Sequence, residues 1–192
     1  MILSDRYTEA LAFAADAHRG QMRKGTAIPY LSHLLAVSGL VLEHGGNEAE
    51  AIAGLLHDTI EDVGAHLRDP IRERFGADVL AIVESCSDAD TQPKPPWRAR
   101  KEAYIAHVRQ APLPVLRVSA ADKLHNARCI LADYRVLGAD LWTRFNASPD
   151  AIGWYYTALA DAFAVAGAPP TLVDALSQTL EALRGQGAWP RV

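Results

Sequence analysis

Four residues of types that hold divalent ions stand out: His33, the adjacent pair His57-Asp58, and Asp122. His57 and Asp58 close an apolar run, Ala53-Gly54-Leu55-Leu56, and Asp122 sits in Val118-Ser119-Ala120-Ala121-Asp122-Lys123-Leu124, where an unpaired carboxylate would be costly. Two imidazoles and two carboxylates suit a borderline ion such as Mn²⁺ or Fe²⁺ and leave coordination positions open for water and substrate. Taken singly, His33 also reads as a satisfied core histidine and Asp122 as a cap or ion-pair partner. The residues after His57 tilt the balance. Asp58, Glu61 and Asp62 would line one side of a helix that continues that far, because residues three and four apart share a face. Three carboxylates on one face suit a nearby cation. The alternative, a solvated helix end, fits less well after an apolar helix with no interspersed Lys or Arg.

The cationic residues complete a hydrolytic chemistry. Metal binding lowers the pKa of water from about 15.7 towards 7. Glu61 and Asp62 could accept or orient the proton, and the pair Arg23-Lys24 could stabilise charge on phosphoryl oxygens. Away from a metal motif, Arg23-Lys24 reads as an ordinary exposed pair. A second basic group, Lys94, Arg98, Arg100 and Lys101, is a weaker phosphate candidate, and Arg144, in Trp142-Thr143-Arg144-Phe145-Asn146, is another. Two histidines and a carboxylate can also form an iron site for oxygen chemistry, so a sensor or oxidoreductase is a competing class. The Glu61-Asp62 and Arg23-Lys24 pairs favour hydrolysis.

These residues need a frame, and the chain reads as all-α. Alanine and leucine dominate, β-branched runs are scarce, and Gly or Pro cuts the chain into helix-length pieces. The periodicity predicts helices over 5–19, 31–44 and from the Asn47 cap with Glu50 as its capping-box partner. Two more follow, one ending at Gly76 and one starting at Val79. Further helices are expected over 98–111, 116–137, 149–166 and 171–184. The irregular stretch from Ser85 to Trp97, with three prolines, reads as a connector or as a loop over a binding site.

The length of 192 residues and 49% hydrophobic content suit a single domain over 1–192, with 167–192 a C-terminal helix and tail. Cys86 and Cys129, far apart and without CxxC spacing, read as buried thiols in a reducing compartment. The N-terminus has no apolar h-region, and no apolar stretch approaches about 18 residues. The expected location is cytoplasmic, with no membrane partner. A net charge of −4 argues against duplex nucleic acid as a partner.

Five blocks give the sequence a family resemblance: Ala17-His18-Arg19-Gly20-Gln21-Met22-Arg23-Lys24-Gly25, Pro29-Tyr30-Leu31-Ser32-His33, Leu55-Leu56-His57-Asp58-Thr59-Ile60-Glu61-Asp62, Phe75-Gly76, and Ala120-Ala121-Asp122-Lys123-Leu124-His125-Asn126-Ala127-Arg128. In order and spacing they resemble the HD-domain metal-dependent phosphohydrolases, and within them the hydrolase domain of RelA/SpoT-type enzymes and the small alarmone hydrolases. The resemblance covers roughly residues 3–163. It implies an HD-type helical bundle in which His33, His57, Asp58 and Asp122 bind Mn²⁺ and Glu61 and Asp62 handle the attacking water. It further implies that Arg23 and Lys24 contact phosphates and that Asn126 sits by the nucleotide. His18 and His125, inside the same blocks, suit a supporting role or packing better than metal ligation. The implied activity is removal of pyrophosphate from the 3′ position of guanosine tetra- or pentaphosphate, with hydrolysis alone expected at this length. The alternatives are an HD-domain phosphohydrolase acting on another nucleotide and a non-catalytic metal- and nucleotide-binding sensor. Leu34, Cys129 and Ser85-Cys86-Ser87-Asp88 depart from the family pattern at positions that bear on nucleotide recognition. Trp154-Tyr155-Tyr156 reads as core or interface packing, with a ring stacking on a base as the alternative.

Overall fold

A computed structural model describes residues 2–87 and 95–189. Some of its helices begin where a polar side chain satisfies a free backbone N–H group. Ser4 caps α1 (Asp5–Ala17) by accepting from Arg6 N. Helix α2 spans Leu31–Glu43, and α3 (Glu48–Leu56) starts at Asn47, whose side chain and that of Glu50 form the expected reciprocal capping box. A single turn, α4 (Thr59–Asp62), follows, then a 3₁₀ turn at Ala65–Leu67. Helix α5 (Arg68–Cys86) is broken at Gly76, where φ 92 and ψ 162 are open only to glycine. Two helical pieces meet there, as the sequence pattern predicts.

Beyond it lie α6 (Trp97–Val108), α7 (Leu113–Leu137), a 3₁₀ segment at Gly138–Arg144, α8 (Pro149–Ala166) and α9 (Pro170–Gly185). Helix α7 starts three residues earlier than expected. Pro114 falls in its first turn, where a missing N–H leaves no hydrogen bond unmade. Among the described residues the one strand-like pairing is an isolated bridge between Met22 and Pro29, which closes the loop before α2.

Helix α3 is the axis of the bundle. Every residue from Glu50 to Leu56 is buried, and α3 packs against α1, α2, α5 and α7. Its polar exception, Glu50, is ion-paired with Arg117 of α7, which also donates to the His44 carbonyl. The buried carboxylate is therefore compensated. Helix α7, about 37 Å long at 1.5 Å per residue, crosses α2 and α3 and is backed by α8 and α9. Helices α2 and α7 and the C-terminal end of α3 therefore converge on one region of the core.

Two expectations are corrected. The helix carrying His57 does not run on through Asp62: α3 ends at Leu56, the chain turns through His57 and Asp58, and α4 starts afresh. Asp58 and the Glu61-Asp62 pair thus belong to a turn and a new helical turn, not to one continuous face. Cys86 and Cys129 are partly exposed rather than buried, both as free thiols. The loop at 85–97 contains residues 88–94, Lys94 among them, which lie outside the described residues.

Candidate metal centre and nucleotide pocket

His33 is presented by the first turn of α2, His57 and Asp58 by the turn after α3, and Asp122 by the middle of α7. The donor atoms of His33, His57 and Asp58 all lie within 4.8 Å of one another. Asp58 Oδ2 is 3.0 Å from His57 Nε2 and 3.5 Å from His33 Nε2. Asp122 Oδ1 faces the same two nitrogens at 3.7 and 3.2 Å. The structure thus brings together all four residues singled out from their types and settings.

The donor set fits a divalent cation on its own geometry. Both Nε2 atoms are buried and neither makes a hydrogen bond, although carboxylate oxygens surround them. Buried polar atoms without partners are rare and call for an explanation. His57 Nδ1 contacts the Gly54 carbonyl at 2.9 Å, and a carbonyl only accepts, so Nδ1 carries a proton and in the neutral ring the Nε2 lone pair points at the carboxylates. A cation between them satisfies all four groups at once.

Electrostatics record the same crowding. Burial lowers the His57 pKa, but the Asp58 and Asp122 carboxylates reverse this and hold it well above the ordinary histidine value. Burial opposes ionisation of Asp58, which His57 and His33 overcome, holding its carboxyl well below the usual range. For Asp122 burial is outweighed first by Lys123 and then by His33 and His57, again leaving the pKa well lowered.

A set of outer partners fixes these candidate ligands. Lys123 Nζ donates to Asp122 Oδ2 at 2.6 Å while its ammonium lies over the Tyr104 ring. Asn126 Nδ2 donates to Asp122 Oδ1, and Tyr30 OH donates to Asp58 Oδ2 at 2.6 Å. Asn126 Oδ1 in turn accepts from Arg23 at 2.7 Å, so the carboxamide is fixed in one orientation by two charged neighbours. His33 Nδ1 meets His125 Nδ1 at 2.8 Å. Burial, then the neighbouring His33 and Arg23, push the His125 pKa down to about 4, so its ring is neutral at pH 7.

A second chain leads to Asp62. Gln21 Nε2 donates to Asp62 Oδ2 at 2.8 Å, and Gln21 Oε1 accepts from His18 Nδ1 at 2.7 Å. His18 is buried, contacts Thr59 Oγ1 through Nε2, and stacks on Tyr30. Asp62 therefore points towards the loop after α1 rather than joining the two-histidine cluster. Glu61, one residue earlier in the same turn, is partly buried.

Beside the histidine-aspartate cluster opens a cavity of about 560 Å³, lined by Arg23, Lys24, Tyr30, His125, Asn126 and Arg144, among others. All four residues expected to bind substrate lie in this wall: Arg23, Lys24, Asn126 and Arg144. Arg144 is ion-paired to Asp133 at 3.0 Å, also in the wall. Cys129 lines the same cavity, and burial raises its pKa, keeping it a neutral thiol. The basic group on α6 lies apart. Arg98 pairs with Glu102 and sits over Trp154, and Lys101 sits over Tyr155. Tyr155 and Tyr156 are buried as packing residues, and Tyr156 also touches the cavity. Of the remaining histidines, His66 and His107 are exposed, while His44 is half-buried and bonded to Thr171.

Sequence reasoning did not single out Gln21, Tyr30 or Lys123. Gln21 and Tyr30 stand within four residues of site residues in the blocks quoted above, and Lys123 adjoins Asp122. Their roles depend on contacts across 28 residues for Tyr30 and 41 for Gln21, which no local spacing reveals.

Comparison with known proteins places this geometry. A MESH1 guanosine-3′,5′-bis(diphosphate) 3′-pyrophosphohydrolase of Xenopus tropicalis is 38% identical over 123 residues, covering 62% of this chain and 66% of that protein. The bifunctional (p)ppGpp synthase/hydrolase SpoT of Escherichia coli K12 is 34% identical over 131 residues, 65% of this chain but 18% of SpoT. The chain thus spans just under two thirds of the first relative and a small part of the second. A solved structure of a metazoan ortholog of SpoT that hydrolyzes ppGpp superposes with a TM-score of 0.77 at 25% identity, over 98% of this chain and 99% of that one. The HD domain family model matches residues 10–152. That span runs from α1 into α8 and contains His33, His57, Asp58 and Asp122 together with the outer partners that orient them, so the chain belongs to the HD domain family.

Proposed function

We propose that this protein is a Mn²⁺-dependent phosphohydrolase that removes pyrophosphate from the 3′ position of guanosine 3′,5′-bis(diphosphate). One observation carries the reading: three of the four candidate ligands are hydrogen-bonded by residues that line the cavity. Tyr30 holds Asp58, Asn126 holds Asp122 and His125 meets His33. A ligand in that cavity is therefore one residue away from the metal centre. The similar proteins from Xenopus tropicalis and Escherichia coli act on (p)ppGpp, which points to the same substrate class here.

In this reading His33, His57, Asp58 and Asp122 hold the metal. A divalent ion there supplies Lewis acidity, lowering the pKa of water and drawing charge from a phosphoryl oxygen. Arg23 and Lys24 bind phosphate oxygens of the 3′-diphosphate, with Arg144 as a third cation in the same wall. Asn126 keeps Arg23 in place before substrate arrives. Asp62, held at Oδ2 by Gln21, takes the proton from the attacking water, and Glu61 orients that water. Water oxygen bonds to the phosphorus attached to ribose O3′, the P–O3′ bond breaks, and O3′ leaves with a proton as pyrophosphate is released. One domain carries these parts, with α9 packed on α7 and α8 behind the cavity. Among the described residues no helix is long and apolar enough to cross a membrane.

A nucleotide panel with Mn²⁺, read separately for pyrophosphate and orthophosphate, tests the proposal. The expected result is stoichiometric pyrophosphate from guanosine 3′,5′-bis(diphosphate). Orthophosphate as the product, or turnover confined to nucleotides without a 3′-diphosphate, would reassign the substrate while leaving the metal centre in place.

A further inference from the structure

His33 and His125 meet nitrogen to nitrogen, with their Nδ1 atoms 2.8 Å apart and their rings tilted by 37°. Two ring nitrogens at that distance share one proton: one must donate and the other accept. Two arrangements satisfy this, and they have opposite consequences. If His125 donates, a neutral His33 must carry its own proton on Nε2, the atom facing Asp58 and Asp122 at 3.5 and 3.2 Å. That tautomer has no lone pair to offer a cation. If His33 donates, its Nε2 lone pair is exposed towards the two carboxylates, and His125 holds its own proton on Nε2.

Resting on the metal-site reading above, we infer that His125 is a positioning residue: through Nδ1 it accepts the His33 Nδ1–H and thereby fixes the tautomer and ring orientation in which His33 can ligate metal. The two metal-site histidines are then held alike. His57 donates its Nδ1 proton to the Gly54 carbonyl, and His33 donates its own to an imidazole. The acceptor comes from the helix that also supplies a ligand. His125 lies three residues after Asp122 on α7, so both project from the same side of that helix towards α2. One rigid element thus sets the carboxylate and the orientation of the imidazole beside it.

Cys129 Sγ lies 3.8 Å from His125 Nδ1 and 3.7 Å from Nε2, so the thiol favours neither nitrogen over the other. His33 Nδ1, at 2.8 Å, is the nearer partner of His125 Nδ1. Nε2–H is on a residue that lines the nucleotide cavity.

Three measurements on the 192-residue chain test this. Nitrogen-15 spectra of the wild type loaded with diamagnetic Zn²⁺ should show His33 protonated at Nδ1 and His125 protonated at Nε2 only. Mn²⁺ affinity, read by equilibrium binding, should fall about 10- to 100-fold in His125→Leu, the range for loss of an outer partner of a ligating histidine. His125→Asn, whose side-chain oxygen can stand where Nδ1 stood, should recover most of that loss, and the visible spectrum of the Co²⁺-loaded protein should follow the same order. A proton on His125 Nδ1, wild-type affinity in His125→Leu, or equal losses in the Leu and Asn variants would each overturn the inference. Should His125→Leu not fold, the nitrogen-15 spectra decide alone. Failure of the underlying site reading looks different: His33→Ala and His57→Ala would bind Mn²⁺ as the wild type does, or the wild type would bind none.

Discussion

Asp58 and Asp62 are four residues apart in one turn of chain, yet their carboxylates are held by different partners. Asp58 is bound by Tyr30 and faces two imidazoles, whereas Asp62 is held by Gln21, itself oriented by His18. This division predicts different outcomes for similar substitutions. Asp62→Asn keeps size and hydrogen bonding and removes the proton acceptor, so kcat should fall roughly 10²- to 10⁴-fold with Mn²⁺ occupancy unchanged. Full turnover in that variant would move the base to Glu61, and loss of metal would make Asp62 a ligand. At this scale the sequence was informative where chemistry is dense. Imidazoles and carboxylates in apolar runs are expensive unless compensated, which is why His57-Asp58 and Asp122 are visible as a site. Tyr30, Gln21 and Lys123 are ordinary residues until the fold brings them to a carboxylate.

The helices matter here through how closely two of them approach. Gly54 lies in α3 where an added Cβ would come within 3.1 Å of Ser38 Cα and 3.3 Å of Ser38 N, both backbone atoms of α2. The same Gly54 carbonyl takes the His57 Nδ1 proton, and α2 carries His33. Gly54→Ala gains about 1 kcal/mol of helix propensity but overpacks the α2–α3 contact, at about 1–3 kcal/mol. Overpacking should at least cancel the gain, with a net loss of up to about 2 kcal/mol in urea unfolding and weaker Mn²⁺ binding as His33 and His57 are moved apart. A variant that is more stable than the wild type and binds Mn²⁺ equally well would show that this contact does not set the ligand spacing. Glycine and proline made most helix boundaries legible, Gly76 included. They did not reveal the break after Leu56, because His57 and Asp58 keep near-helical backbone angles while the axis turns. Nor does any local signal say that α2, α3 and α7 converge.

For the molecule as a whole, a cation at the proposed centre would also be a stability element, because the candidate ligands join α2, α7 and the turn between α3 and α4. Binding to the folded state alone stabilises by RT ln(1 + [L]/Kd), about 2.7 kcal/mol at one hundred times Kd. For a chain of this length that corresponds to a rise in Tm of roughly 5–10 °C. The effect should depend on pH with a definite sign. In the metal-free protein His57 has its pKa raised well above the ordinary value by Asp58 and Asp122 despite burial. A group raised on folding contributes stability below its unfolded pKa of about 6.5 and loses that contribution as pH climbs through the folded value. A proton on His57 thus partly does the work of the cation at low pH, and it competes with the cation for the same nitrogen. Metal-free protein should become less stable from about pH 6.5 upward through the raised value, while the Mn²⁺-induced rise in Tm should grow over the same range. Thermal melts with Mn²⁺ and with chelator at several pH values measure both trends. A Mn²⁺ shift that is constant with pH, or that shrinks as pH rises, would mean that His57 does not exchange a proton for the metal.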